Sequence, residues 1–183
     1  KLSGTLAGLG HTISNLTIRQ PDSNPWTIAS GLVGTAQIGS AIRDIGLIGV
    51  NVDAYGRVGG LVGENIGGSI SHTYVTGTVR GVNNVGGLVG YNGGSFDMET
   101  GFPINGNGII SDSFSAATVT ASSRYTGSAF TDFGGLVGSN KGATYKILRS
   151  SATGNVSVLV DLGSSIGHQN VGGLVGSNIN STI

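Results

Sequence analysis

The sequence predicts an all-β chain wound as a parallel β-helix, and three observations carry that expectation. Gly-Leu-Val-Gly occurs five times, at residues 31–34, 60–63, 87–90, 135–138 and 173–176. In the last four copies a further Gly stands in front (Gly59, Gly86, Gly134, Gly172), and an Asn follows two residues after (Asn65, Asn92, Asn140, Asn178). The copies begin roughly 27 to 48 residues apart, a period at which each repeat is one supersecondary unit that cannot bury its own apolar face. Stacked neighbours must then share one core, which places any function on the outside.

Taken in order, the first copy is degenerate, because Ser30 stands where the others have their leading Gly. Its second half, Ile42-Arg43-Asp44-Ile45-Gly46 with Val50-Asn51-Val52, is degenerate too. The second copy is the cleanest. It holds three β-prone stretches, around Leu61, over residues 70–75 and at Thr78-Val79, separated by Gly or Asn-Gly punctuation. No stretch offers the ten or more periodic residues of a helix. The third copy repeats this second half as Ile110-Ser111-Asp112-Ser113-Phe114 and Thr118-Val119-Thr120. The fourth has Ile147-Leu148-Arg149-Ser150-Ser151 and Gly154-Asn155-Val156-Ser157. Equivalent Ile and Val positions are therefore expected to stack as ladders about 4.8 Å apart. Each buried side chain contributes roughly 1.5–3 kcal/mol.

Three structural roles follow for the repeated residues. Gly60, Gly63, Gly87, Gly90, Gly135, Gly138, Gly173 and Gly176, with the Gly before each copy, mark bends where φ is positive or one backbone approaches another too closely for a Cβ. Leu61, Leu88, Leu136 and Leu174 precede a Val in every copy; simple alternation does not put both side chains inward, so the Gly pair is expected to break it. The Asn row is either a ladder of amides bonded from turn to turn or a row of ligand-binding groups.

Composition bounds the class. Glycine makes up 35 of 183 residues, far above the usual share of about 7 %. Apolar residues nonetheless reach 38 % and recur in phase, whereas only 10 % are charged, the reverse of a disordered chain. Nine Lys and Arg balance nine Asp and Glu, so there is no basic stripe for nucleic acid. There is no cysteine, which is compatible with export. No window approaches the roughly 20 apolar residues of a membrane span. Residues 1–183 read as a single solenoid segment excised from a longer chain, with repeats starting near 31, 59, 86, 134 and 172 and the last one stopping short of its second half.

These residues resemble the GLUG motif, named for its G-L-hydrophobic-G core and found in tandem in large bacterial surface proteins. The matches starting at Val58, Val85, Phe133 and Val171 are close. Upstream, residues 2–18 (LSGTLAGLGHTISNLTI) resemble the segment that precedes such arrays in filamentous-haemagglutinin-like adhesins. The resemblance implies a right-handed parallel β-helix exported to the cell surface by a two-partner route. Extracellular adhesion and biofilm matrix are the implied settings. The partners are a host or matrix glycan, a protein, or further copies of the chain.

A catalytic reading requires convergent groups. The acids are scattered, and the tightest pair is Asp97 with Glu99 in a Gly-rich insertion, where Asn105 and Asn107 lie near enough for a weak Ca²⁺ loop. His11, His72 and His168 fall at different phases with no HExxH pair, and no Ser sits in a Gly-x-Ser-x-Gly elbow. No enzyme and no other cofactor is expected. Two insertions, about 91–108 and 121–132, carry Phe96, Phe102, Tyr125 and Phe130, aromatics that either stack on sugars and partners or fold down over an open flank. Trp26 invites the same choice. Sequons stand at Asn15, Asn155 and Asn180. The expected function is a non-enzymatic stalk or binding segment, with a self-associating filament subunit and a polysaccharide-acting enzyme as rivals.

Overall fold

The computed structural model describes residues 1–20, 29–96, 103–104, 106–121, 131–158 and 169–183. Among them every regular element is a strand, and three parallel sheets hold nearly all of these. One sheet of five strands runs through Ala29–Ser30, Arg57–Gly59, Asn84–Gly86, Thr131–Gly134 and Gln169–Gly172, and is called here the glycine sheet. A second sheet of five, the asparagine sheet, runs through Val33–Ala36, Val62–Asn65, Val89–Gly93, Val137–Lys141 and Val175–Ile179. The third, the long sheet, contains Ala41–Asp53 and Ser69–Gly81 at its centre. Each of the first four repeats thus gives one rung to each sheet and the fifth gives one to the glycine and asparagine sheets, each rung pairing with the equivalent residues of the next repeat.

The long sheet carries the expected ladders. One is Leu6, Ile42, Ile70, Ile110 and Ile147. A second is Ile18, Val52, Val79, Val119 and Val156. Residues 2–18 are therefore more than a prelude to the array: Thr5–Ala7, Thr12–Ser14 and Thr17–Arg19 form a complete rung on Ala41–Asp53. The two stretches read separately as 70–75 and Thr78-Val79 are one strand. Gly77, at φ 118°, kinks the chain there without ending the ladder.

The corner between the glycine and asparagine sheets settles the Leu-Val question. Leu61 lies in the bend at Gly60-Leu61, while Val62 begins the next strand, so alternation restarts between them. Both are fully buried, as are Leu88 with Val89 and Leu136 with Val137. One apolar cluster draws on all three sheets, joining Ile42, Ile70 and Val79 to Val58, Val85 and Phe133 and to Val62, Val89 and Val137.

The repeat glycines serve close approach, not left-handed backbone. None of them has positive φ. A Cβ built on Gly63, Gly90, Gly138 or Gly176 would lie 2.3 to 2.6 Å from the backbone nitrogen of Ser30, Val58, Val85 or Phe133 respectively. The two five-stranded sheets thus meet backbone to backbone, far closer than the roughly 10 Å of ordinary sheet packing.

The insertions are shorter than the sequence suggests. Tyr91, Asn92 and Gly93 belong to an asparagine-sheet strand, so the first excursion starts after Gly93. Ala121 ends a long-sheet strand, and Thr131 and Asp132 open a glycine-sheet strand, which confines the second to 122–130. Ser95–Phe96 and Pro103–Ile104 pair antiparallel.

Candidate functional site

The asparagine sheet is the flank from which the first insertion springs. Its Asn row is a continuous amide ladder: Asn65 donates to Asn92, Asn92 to Asn140 and Asn140 to Asn178, each at 2.8 Å. The remaining capacity closes the next turn, where the Asn65 carbonyl accepts from Gly68 N at 2.8 Å and its amide donates to Gly68 O at 3.0 Å. Asn65, Asn92 and Asn140 are wholly buried and lie in extended strand just before the turn, not in the turn itself. Ala36 occupies the same column in the first rung.

Beside this ladder Tyr145 anchors the base of the insertion. Its hydroxyl donates to Ile66 O at 2.5 Å and accepts from Gly106 N at 3.0 Å, while Thr144 Oγ1 donates to Gly106 O at 2.7 Å. Burial raises the Tyr145 pKa above the ordinary phenol value, partly offset by the Gly106 bond. Nothing in the sequence period marks Tyr145, because its partners belong to other repeats.

On the outside of the same flank, Glu64 is buried and paired with Arg57. The Arg57 guanidinium also lies 4.4 Å above the Tyr91 ring. Burial raises the Tyr91 pKa and the Arg57 charge opposes it. One column over, the Asp132 carboxylate accepts from Asn84 at 2.9 Å and from Asn170 at 2.8 Å. A buried or crowded carboxylate needs such partners; Glu64 is spent on a pair within its own repeat, and Asp132 on joining its rung to the two beside it.

A second charged feature runs along the long sheet. Asp44, His72, Asp112 and Arg149 follow the paired residues Arg43, Ser71, Ser111 and Leu148, so they stand in one column. All four have left-handed backbone, with φ of 55°, 51°, 50° and 46°. Asp and His adopt this conformation more readily than most residues. Arg149 grips Asp112 through two bonds of 2.6 and 2.7 Å, and Arg43 bonds Asp44 at 2.8 Å. Aligning the repeats on Ile42, Ile70, Ile110 and Ile147 exposes this column two residues later. Its residue types differ from rung to rung, so periodicity alone does not reveal it.

The Arg149 hydrogen bond, followed by its charge, holds the Asp112 pKa below the ordinary aspartate value. A carboxyl with a depressed folded pKa contributes stability that is present above its unfolded pKa and is lost as pH falls through the folded value. In Arg149→Gln the Asp112 carboxyl is expected to titrate at higher pH, back in the ordinary range, with its acid-side contribution to stability removed. Carboxyl NMR titration of both chains checks this, and an unchanged Asp112 midpoint would refute it.

The six candidate binding and metal residues from the sequence fall as follows. Phe96 lies in the antiparallel pair opposite Pro103. Phe102, Tyr125, Phe130, Asp97 and Glu99 lie outside the described residues, as does Trp26. Among the described residues no group of three or more His, Cys, Asp or Glu side chains is placed to hold a metal ion, and no helix is long and apolar enough to cross a membrane.

Comparison with known proteins finds similarity to a repeat motif and to a surface protein. The model of the GLUG motif matches residues 54–80, the second repeat. Halomucin of Haloquadratum walsbyi is 30 % identical over 156 residues, a stretch that spans 78 % of this chain and 2 % of halomucin. No solved structure matches.

Proposed function

We propose that the chain is one segment of a right-handed parallel β-helix in a large cell-surface or secreted adhesin of the filamentous-haemagglutinin-like, two-partner type. In this reading it acts without catalysis, as a rigid spacer whose outer faces bind host or matrix components in adhesion or biofilm. The carrying observation is the register itself: five successive repeats pair residue for residue in parallel sheets, over one apolar core. The GLUG match and the similarity to halomucin support a surface-protein setting. Scale supports it too. Five rungs at about 4.8 Å each advance the chain by only about 20 Å, so a useful spacer needs many such units, and the stretch of halomucin matched is 2 % of a far longer chain.

The charged groups fit this reading. Arg57 with Glu64, Arg149 with Asp112, and Asn84 and Asn170 with Asp132 each tie rungs or strands together and leave no convergent acid–base pair among them. Antibodies against the chain should label intact cells of the organism that makes it, or its spent medium, and deleting the segment should lower attachment. Label that appears only after lysis would overturn the proposal.

A further inference from the structure

The outer column of the long sheet that runs through Thr12, Gly46, Tyr74, Phe114 and Ser151 holds an aromatic pair that ends at a glycine. Tyr74 and Phe114 stack with centroids 5.0 Å apart and planes 3° from parallel. The next position along the column is Gly46, and it has no side chain to continue the stack. A Cβ there would lie 2.3 Å from Tyr74 Cζ, so the tyrosine ring leans across the glycine. Facing it across the gap is the loop at Leu9-Gly10, held by a bond from Gly10 N to Asp44 O of 2.8 Å. Between them opens a groove of about 510 Å³, lined by Leu9, Gly10, Asp44, Ile45, Gly46, His72 and Tyr74. Phe114 does not line the groove but backs Tyr74 from the next rung.

We propose that this groove binds one or two residues of an uncharged glycan, with a sugar ring on Tyr74 and its hydroxyls on Asp44 and His72. The volume lies in the range of small-ligand sites. Leu9, Ile45 and the Tyr74 ring supply an apolar wall for the C–H face of a pyranose. The rim supplies carboxylate acceptors and an imidazole, with His72 Nδ1 standing 4.0 Å from Asp44 Oδ1. Charge selects the occupant. Asp44 is already paired with Arg43, and the nearby Asp112 with Arg149, so among the described residues lining the groove an anionic ligand finds a carboxylate and no Lys or Arg, while a cation competes with Arg43. A neutral polyol with one apolar face meets neither penalty. The stacked pair is also preorganised, because Phe114 holds Tyr74 before any ligand arrives, and this lowers the ordering cost of binding. Leu9, 75 % exposed with φ 53°, is an apolar side chain held in water on strained backbone, as expected of a contact residue.

The proposal gives the adhesive reading a ligand class and rests on it, yet the two fail separately. Label found only inside cells would refute the surface role and leave the groove's chemistry testable in vitro. The test is an amide NMR titration of the 183-residue chain with cellotetraose, maltotetraose, mannotetraose and chitotetraose, and with tetragalacturonate and sialyllactose as acidic contrasts. At least one neutral tetrasaccharide is expected to shift the amides of Gly10, Gly46, His72 and Tyr74. Tyr74→Ala should weaken that binding about tenfold, the scale of one aromatic platform. Should Tyr74→Ala lose its fold by far-ultraviolet circular dichroism, Asp44→Asn serves instead, since Asn tolerates the same left-handed backbone; it too should weaken binding several-fold. Neutral saccharides that leave these amides unmoved, acidic saccharides that bind there as well or better, or folded variants that bind like the parent would each overturn the proposal.

Discussion

Gly86→Ala is expected to cost more than about 4 kcal/mol, at the exceptional end for a single substitution, and to unfold the array around the third repeat. The reason is space. The added Cβ would sit 2.0 Å from Val89 O, 2.7 Å from Gly138 N and 2.8 Å from Leu136 O. All three are backbone atoms, so no rotamer change relieves the clash. They also belong to two different rungs, so moving either one disturbs the hydrogen bonds that Leu88 N and Val89 N donate to Leu136 O, at 3.0 and 3.1 Å. The control lies in the last repeat. Gly173 is the second Gly of its pair, has no positive φ, and a Cβ there meets nothing within 4 Å. In the 183-residue chain, Gly173→Ala should therefore be neutral or stabilising by about 0.4–1 kcal/mol, through the lower entropy of the unfolded chain. Urea unfolding of both variants checks the contrast. Equal effects would mean that chain flexibility, not backbone contact, explains the repeat glycines.

How much of this was legible in the sequence depends on which face of the chain a residue occupies. Inward positions repeat because each rung presents the same slot to one core, so Ile70 announces Ile110 and Ile147 without any structure. The Asn row is legible for the same reason: an amide ladder works only if every rung supplies an amide. What defeats sequence reading is contact between rungs on the outer face. Gly46 looks like one more glycine among 35, and only the register with Tyr74 reveals that it makes room for the tyrosine ring. Tyr145 likewise reaches Ile66, 79 positions earlier, across an insertion of unrelated length. The Leu-Val pair is legible in part: the Gly pair does break the alternation, as expected, and only the corner at Gly60-Leu61 shows that both side chains are then equally buried.

Asn92→Ala should cost about 2–4 kcal/mol, because it breaks the amide ladder in its buried middle and strands groups that cannot reach water. Asn92 accepts from Asn65 and donates to Asn140, both at 2.8 Å, and its amide also reaches Gly108 O at 3.3 Å. Removing it leaves the Asn140 carbonyl oxygen buried without its rung-to-rung donor. Asn65 fares better, since its amide keeps Gly68 O at 3.0 Å. The same substitution at Asn178, which is exposed, should cost under about 1 kcal/mol, because water replaces the lost bond. A double-mutant cycle sharpens the claim. If the penalty comes from an orphaned partner, Asn92→Ala with Asn140→Ala should cost less than the two single changes summed, by about 1 kcal/mol or more, since the second change removes the group the first one strands. Additive costs would mean that each Asn acts through its own turn and that the ladder carries no coupling between rungs.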